Sequence, residues 1–192
     1  MGQKKVPKAV FVEKKKLGIL RYDLKNRRIY LVGEIIRGMS RIVERAINLM
    51  QKKDPRAPIT LCLSSDGGSY PESLEIYQII RNSRTRVDII VSDKAFSGAS
   101  LILQAGKKRI AFHGAKIGFH KALGWPVLSE GPFNYDAYMD MAKEHLEIDT
   151  LQRFIYTRRG RPVEKILGFF NLGAQFTVAE AKELKLIDEI MK

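Results

Sequence analysis

A single cysteine, Cys62, stands in the 192 residues, so no disulfide can form within the chain. That excludes a disulfide-framed secreted scaffold and points to a reducing compartment. No apolar run approaches the roughly 20 residues of a membrane-crossing helix. The N-terminal stretch "MGQKKVPKAVFVEKKKLGIL" is basic but lacks a continuous apolar core, so it does not read as a secretory signal. Cytoplasmic residence is the expectation. Histidine, cysteine and carboxylates never fall at metal-ligand spacing, and no Gly-Lys-Ser/Thr phosphate loop is present, so neither a metal nor another cofactor is expected.

Acidic residues are scarce too. Lys and Arg number 34 against 21 Asp and Glu, a net charge of +13. The imbalance is concentrated at the start. Residues 1–28 hold ten Lys or Arg with only Glu13 and Asp23, so +8 of the +13 sits there. Such an arm either docks on an anionic surface or is a solvated tail. It has no interleaved aromatics for base stacking and no nucleic-acid motif, so nucleic acid is not an expected partner.

Against these absences, 45% of the residues are apolar, enough for one domain of ordinary size with its own core. The reading is a basic arm over 1–27 and a single domain over 28–192. "RIYLVG" (28–33), "PITLCLSS" (58–65) and "VDIIVSD" (87–93) read as strands, and "RIAFHG" and "AKIGFHK" as two shorter ones. Helices are expected at 40–53, where Ile42, Val43, Ala46, Ile47 and Met50 share a face, and from Ser69, whose Ser69–Glu72 spacing forms a capping box. Others are expected at 99–106, at about 134–159 and after Thr177, a second capping box with Glu180. Strands alternating with helices give an α/β layout with a largely parallel sheet. In such sheets the site lies beyond the carboxyl ends of the strands.

Two loops lie at such ends. In "DGGS" (66–69) paired glycines ahead of a helix can expose amides for an oxyanion or phosphate, or can simply make a tight turn. In "AFSGAS" (95–100) Ser97 sits between strand and helix with Ala95 and Ala99 two positions away on either side. That is the pattern of a nucleophile elbow, and equally of a serine that caps the helix. Gly98 could offer its amide to an oxyanion. Ser100, one turn further, reads as a packed or capping hydroxyl. His120 ends the strand-like "KIGFH" on the side opposite Ile117 and Phe119. It could serve as a base or be a surface histidine. His113 falls in a turn and His145 in the long helix.

Together these segments resemble the proteolytic subunit of the Clp protease, a serine peptidase of the ClpP/crotonase fold. "SSDGGS" is similar to the family's Ser-Pro-Gly-Gly-Ser loop, "AFSGASLILQAG" to its Ala-Ala-Ser-Met-Gly segment and following helix, and "KIGFH" to the strand carrying its histidine. The resemblance runs from "RRIYLVGEI" to "LIDEI". It implies repeated β-β-α/βαβ units, a largely parallel sheet flanked by helices, and a long handle helix. It implies Ser97 as nucleophile, His120 as base, and the amides of Gly68 and Gly98 as the oxyanion hole. It further implies peptide or unfolded-protein substrates, homo-oligomeric stacked rings and an AAA+ unfoldase partner.

The sequence departs from the family at named places. The family's triad aspartate falls on Gly173 in "FFNLGAQFT", and Asn171 is the nearest polar residue that could orient His120 instead. Asp66 replaces a proline, and Asp93 and Lys94 replace Gly and Gln. "GWPVLSEGPF" (124–133) differs from the family's Gly- and Gln-rich segment. The missing aspartate keeps a second reading open, a catalytically impaired ring subunit with a structural or regulatory role. Other enzymes of the fold, such as an acyl-CoA hydratase or a Ser–Lys peptidase, are further alternatives.

Overall fold

The computed structural model describes residues 18–120 and 135–192. The first part of the basic arm and the "GWPVLSEGPF" segment lie outside the described residues.

Among the described residues, fourteen elements follow one another. They are β1 (Ile19–Asp23), β2 (Arg28–Val32), α1 (Met39–Lys53), β3 (Ile59–Ser65), α2 (Tyr70–Asn82), β4 (Val87–Phe96) and α3 (Gly98–Leu103). After these come β5 (Arg109–Phe112), β6 (Lys116–Phe119), α4 (Tyr135–Thr157), α5 (Val163–Leu172), β7 (Ala174–Thr177), α6 (Val178–Glu183) and β8 (Glu189–Met191). The main path of the sheet runs β1-β2-β3-β4-β5-β8. Every pairing from β2 to β8 along it is parallel, and β1 joins the edge antiparallel. Alternation in β3, with Ile59, Leu61 and Leu63 buried, sends one face into the core and the other toward half-buried neighbours. This is the expected α/β class. β1 lies in the stretch read as arm: Leu20 is buried, and Arg21 lies over the Tyr30 ring at 4.5 Å.

β4 is longer than its apolar run suggested, and it changes partners. It pairs with β5 through Ile89, Ile90 and Val91, and then with β6 through Lys94, Ala95 and Phe96. Its register against β3 shifts between Leu63↔Val91 and Ser65↔Ala95. The irregularity accommodates Ser92 and Asp93, bends the strand, and re-aims its end. That end carries Ser97.

Neighbouring elements set the helix starts. Ser69 caps α2, its hydroxyl accepting from the Glu72 amide. The Glu72 carboxylate does not close the expected capping box. It reaches across to α1 instead and accepts from the Gly38 and Ser40 amides at 2.8 and 2.9 Å. Burial pushes its carboxyl up, but those two amides outweigh burial and hold it below the ordinary value. The box at Thr177 and Glu180 closes on both sides. α4 is fastened at its end by Arg161, which donates to the Ile155, Tyr156 and Lys185 carbonyls and to Gln104. Gln104 also accepts from Arg109, a buried strand residue clamped by Asp188. No helix among the described residues is long and apolar enough to cross a membrane.

Candidate active site

Ser97 follows the last residue of β4 and precedes the first of α3. Its backbone sits at φ 50°, ψ −123°, a conformation that costs an L-residue energy and persists only where the surroundings impose it. Here they do. The Ser97 amide donates to the Gly118 carbonyl at 3.1 Å, and the Leu101 amide returns to the Ser97 carbonyl at 3.2 Å. The Ser97 side chain makes no capping hydrogen bond to the helix it opens. Of the two roles its sequence allowed, capping is therefore unfilled, and the half-buried hydroxyl is left at the strand end. Ser100 is completely buried.

The "DGGS" loop lies directly against this turn. A Cβ on Gly67 would stand 2.7 Å from Ser97 Cβ and 3.0 Å from the Gly98 nitrogen, so only glycine fits. The loop is strapped to the β2–α1 connection. Ile35 donates to the Gly67 carbonyl and accepts from the Ser69 amide, both at 2.8 Å. Gly68 stands between them at φ 141°, with its Cβ position 2.3 Å from the Ile35 carbonyl oxygen. The Gly67 amide is occupied by Ser65 Oγ at 3.0 Å. The Gly68 and Gly98 amides donate to no acceptor among the described residues. Two donors beside one hydroxyl can hold a developing oxyanion.

His120 follows β6 immediately and is half-buried. Since β4 and β6 are parallel with Phe96 opposite Gly118, Ser97 and His120 emerge from the same ends of neighbouring strands, which lie about 4.8 Å apart in any sheet. Phe119 plants this strand end. Its ring lies 4.5 Å from Tyr156, 5.1 Å from Phe170 and 5.5 Å from Phe176.

Gly173 lies beside the histidine. β7 runs antiparallel to β6 with Ala174 opposite Phe119, and a Cβ on Gly173 would stand 3.5 Å from His120 Cβ. Its φ of 68° and ψ of 117° suit glycine and disfavour a side chain. Asn171 belongs to the last turn of α5, and its side chain lies outside the described residues.

Two of the sequence departures turn out to be one feature. Lys94 Nζ meets Asp66 Oδ2 at 2.7 Å, tying β4 to the glycine loop across the site's flank. The hydrogen bond to Asp66 raises the lysine's pKa. Asp93 is exposed beside the pair.

The model of the Clp protease family matches residues 13–192. The chain belongs to the Clp protease family. Among solved structures, a point mutant of ClpP1 from Listeria monocytogenes is similar over 88% of this chain and 93% of that one, with a TM-score of 0.77 and 20% identity. At that identity the likeness speaks for the fold, a mixed α/β fold of the ClpP type. The family match begins at residue 13, ahead of β1 and within the stretch read as arm.

Proposed function

We propose that the chain is a serine endopeptidase subunit of a ring-shaped Clp-type protease, hydrolysing peptide bonds in unfolded protein. Ser97 Oγ attacks the carbonyl carbon while His120 takes its proton. The carbonyl oxygen, now an anion, is held by the Gly68 and Gly98 amides. His120 then returns the proton to the leaving amine, and water repeats the sequence to release the acyl group. One observation carries this reading: the strained, uncapped Ser97 packed against the glycine loop at the end of the histidine strand's neighbour, where the Gly68 and Gly98 amides meet no acceptor among the described residues.

Asn171 is the residue proposed to orient His120 where the family has an aspartate. An amide can fix a ring but does not stabilise an imidazolium as a carboxylate does, and loss of the carboxylate in a serine triad can lower turnover on the order of 10⁴-fold. Slow hydrolysis is therefore expected. Ring assembly is supported by α4, whose outward side exposes Leu146 (66%) and Phe154 (60%), apolar residues that a copy of the chain could cover. A cytoplasmic setting and an AAA+ unfoldase follow from the family alone.

The test is hydrolysis of a fluorogenic peptide by the assembled protein and by its Ser97→Ala and His120→Ala variants. Because the triad acts as a unit and its carboxylate is already absent, both substitutions should reduce turnover by a further ~10²-fold. Activity retained in Ser97→Ala would overturn the assignment. An assembled wild type with no activity would favour the second reading, an impaired subunit with a structural role, which Gly173 motivates.

A further inference from the structure

The end of the sheet away from Ser97 is basic. β3, β4 and β5 run parallel and begin there, at Ile59, Val87 and Arg109. At about 3.3 Å per residue, the ten residues of β4 put this end roughly 30 Å from Ser97. Five stretches meet at it: 24–28, 52–58, 81–88, 106–109 and 158–161. Together they hold fifteen Lys or Arg against two carboxylates, Asp54 and Asp88.

Hydrogen bonds knit the stretches into one surface. Arg27 donates to the Met50, Asp54 and Ala57 carbonyls, joining the first stretch to the second. Thr85 Oγ1 donates to the Pro55 carbonyl at 3.0 Å, joining the second to the third. The Lys107 amide donates to the Val87 carbonyl and Arg159 to the Gly106 carbonyl, both at 2.8 Å, bringing in the last two. The two carboxylates are already engaged. Asp54 accepts from the Arg56 and Ala57 amides, and Asp88 from Arg86 Nε and the Lys108 amide.

Lys52, Lys53, Arg56, Arg81, Arg84 and Lys107 are exposed, and none forms an ion pair among the described residues. Lys52, Lys53 and Arg81 suit the carboxyl ends of α1 and α2, where cations offset the helix dipole. Arg56, Arg84 and Lys107 lie outside any helix and have no such role. The crowding is felt at Arg159. Burial first, then repulsion from Arg109, Arg81 and Arg158, holds its pKa below the ordinary value, and Asp188 offsets only part of this. A solvated face mixes charges of both signs, whereas a field of one sign attracts a partner of the other.

Carboxylate and phosphate both match such cations. The rim's own ion pairs are with carboxylates: Arg86 holds both Asp88 oxygens, Lys108 meets Glu189, and Arg109 meets Asp188. No aromatic residue stands in the five stretches, so a nucleic-acid base has nothing to stack on. We propose that this rim is a docking surface for a glutamate- or aspartate-rich segment of a partner protein. It uses no residue of the candidate active site and stands whether or not the chain hydrolyses peptides.

The experiment is fluorescence anisotropy of a labelled glutamate–serine repeat peptide titrated with the full-length protein. The peptide should bind at least about tenfold tighter than its glutamine–serine counterpart, and the advantage should shrink as salt rises. Arg56→Glu, Arg84→Glu and Lys107→Glu together should weaken binding by at least about tenfold, because like charges then face the peptide. Arg56→Gln with Arg84→Gln removes charge without reversing it, and should also weaken binding, which keeps the test intact if the triple variant fails to fold. Substituting Lys14, Lys15 and Lys16 of the basic arm by Ala should leave the affinity essentially unchanged. Equal affinity for the glutamate and glutamine peptides would overturn the proposal and leave a solvated face. Binding lost in the arm variant but kept in the rim variants would overturn it by moving the anion site to the arm. Tighter binding of a single-stranded RNA of equal charge, lost in the same rim variants, would overturn it in favour of nucleic acid.

Discussion

Around Ser97 the backbone is fixed by contacts that admit one residue type. Gly67 lies against Ser97, Gly68 against Ile35, and two hydrogen bonds strap their loop to the β2–α1 connection. Around His120 the strand end is placed by bulk: Phe119 sits in a nest of Tyr156, Phe170 and Phe176, and the neighbouring backbone position, Gly173, offers no side chain at all. The nucleophile side is thus specified by hydrogen bonds and close approach, and the base side by packing. The first kind of order fixes an atom to a fraction of an ångström. The second fixes a strand and leaves the ring's orientation to whatever group stands next to it.

Substitutions on each side should therefore fail differently. The largest effect is expected from Phe119→Ala, which deletes the ring at the centre of the base-side nest. Loss of about 3–5 kcal/mol is expected in denaturant unfolding, with turnover falling as the His120 strand end loosens. On the other side, Gly68→Ala would force a methyl group within 2.3 Å of the Ile35 carbonyl. Turnover should fall by about 10²–10³ through the displaced amide, with KM changing far less. An equal loss through KM would mean that Gly68 binds substrate rather than the transition state.

A smaller effect is expected at Glu72, which belongs to the scaffold behind the glycine loop. Glu72→Gln should cost about 1–2 kcal/mol by weakening the cap on α1. The wild-type carboxyl is held below its ordinary value in the folded chain, and Asp188 likewise, where burial raises its carboxyl but the Arg109 hydrogen bonds outweigh that. Groups shifted this way stabilise the fold fully above the unfolded carboxyl range, near pH 4, and lose that contribution as pH falls through the lower folded values. Thermal melts from pH 6 to 3 should show the loss, and Glu72→Gln should flatten part of it. The smallest effect belongs to the Asp66–Lys94 pair, which is exposed and screened. Lys94→Ala should lower turnover only a few-fold at low salt and not at all at high salt, and the exchanged pair D66K with K94D should recover it.

The same contrast separates what could be read in the sequence from what could not. The turn at Ser97 and the tight glycine loop were legible because their signal is local: a turn between strand and helix needs small residues at fixed offsets. The parallel sheet and the long helix followed from periodicity. β1 was hidden because its charged residues read as arm, and only pairing with β2 orders it. α5 and β7 went unassigned, since the apolar run "ILGFFNLG" fits either element until Gly173 ends one and the β6 edge recruits the other. Glu72 illustrates the limit. The capping box it predicted is local, whereas the amides it binds lie more than thirty positions away in sequence. Asp66 and Lys94 looked like two unrelated departures for the same reason.

The central claim is that Ser97 is the nucleophile. The most direct measurement is fluorophosphonate labelling of the assembled full-length protein, with the modified residue located by mass spectrometry of its peptides. A single adduct on Ser97, absent in Ser97→Ala and slowed in His120→Ala, is the predicted result. An adduct elsewhere, or one that persists in Ser97→Ala, would contradict the account.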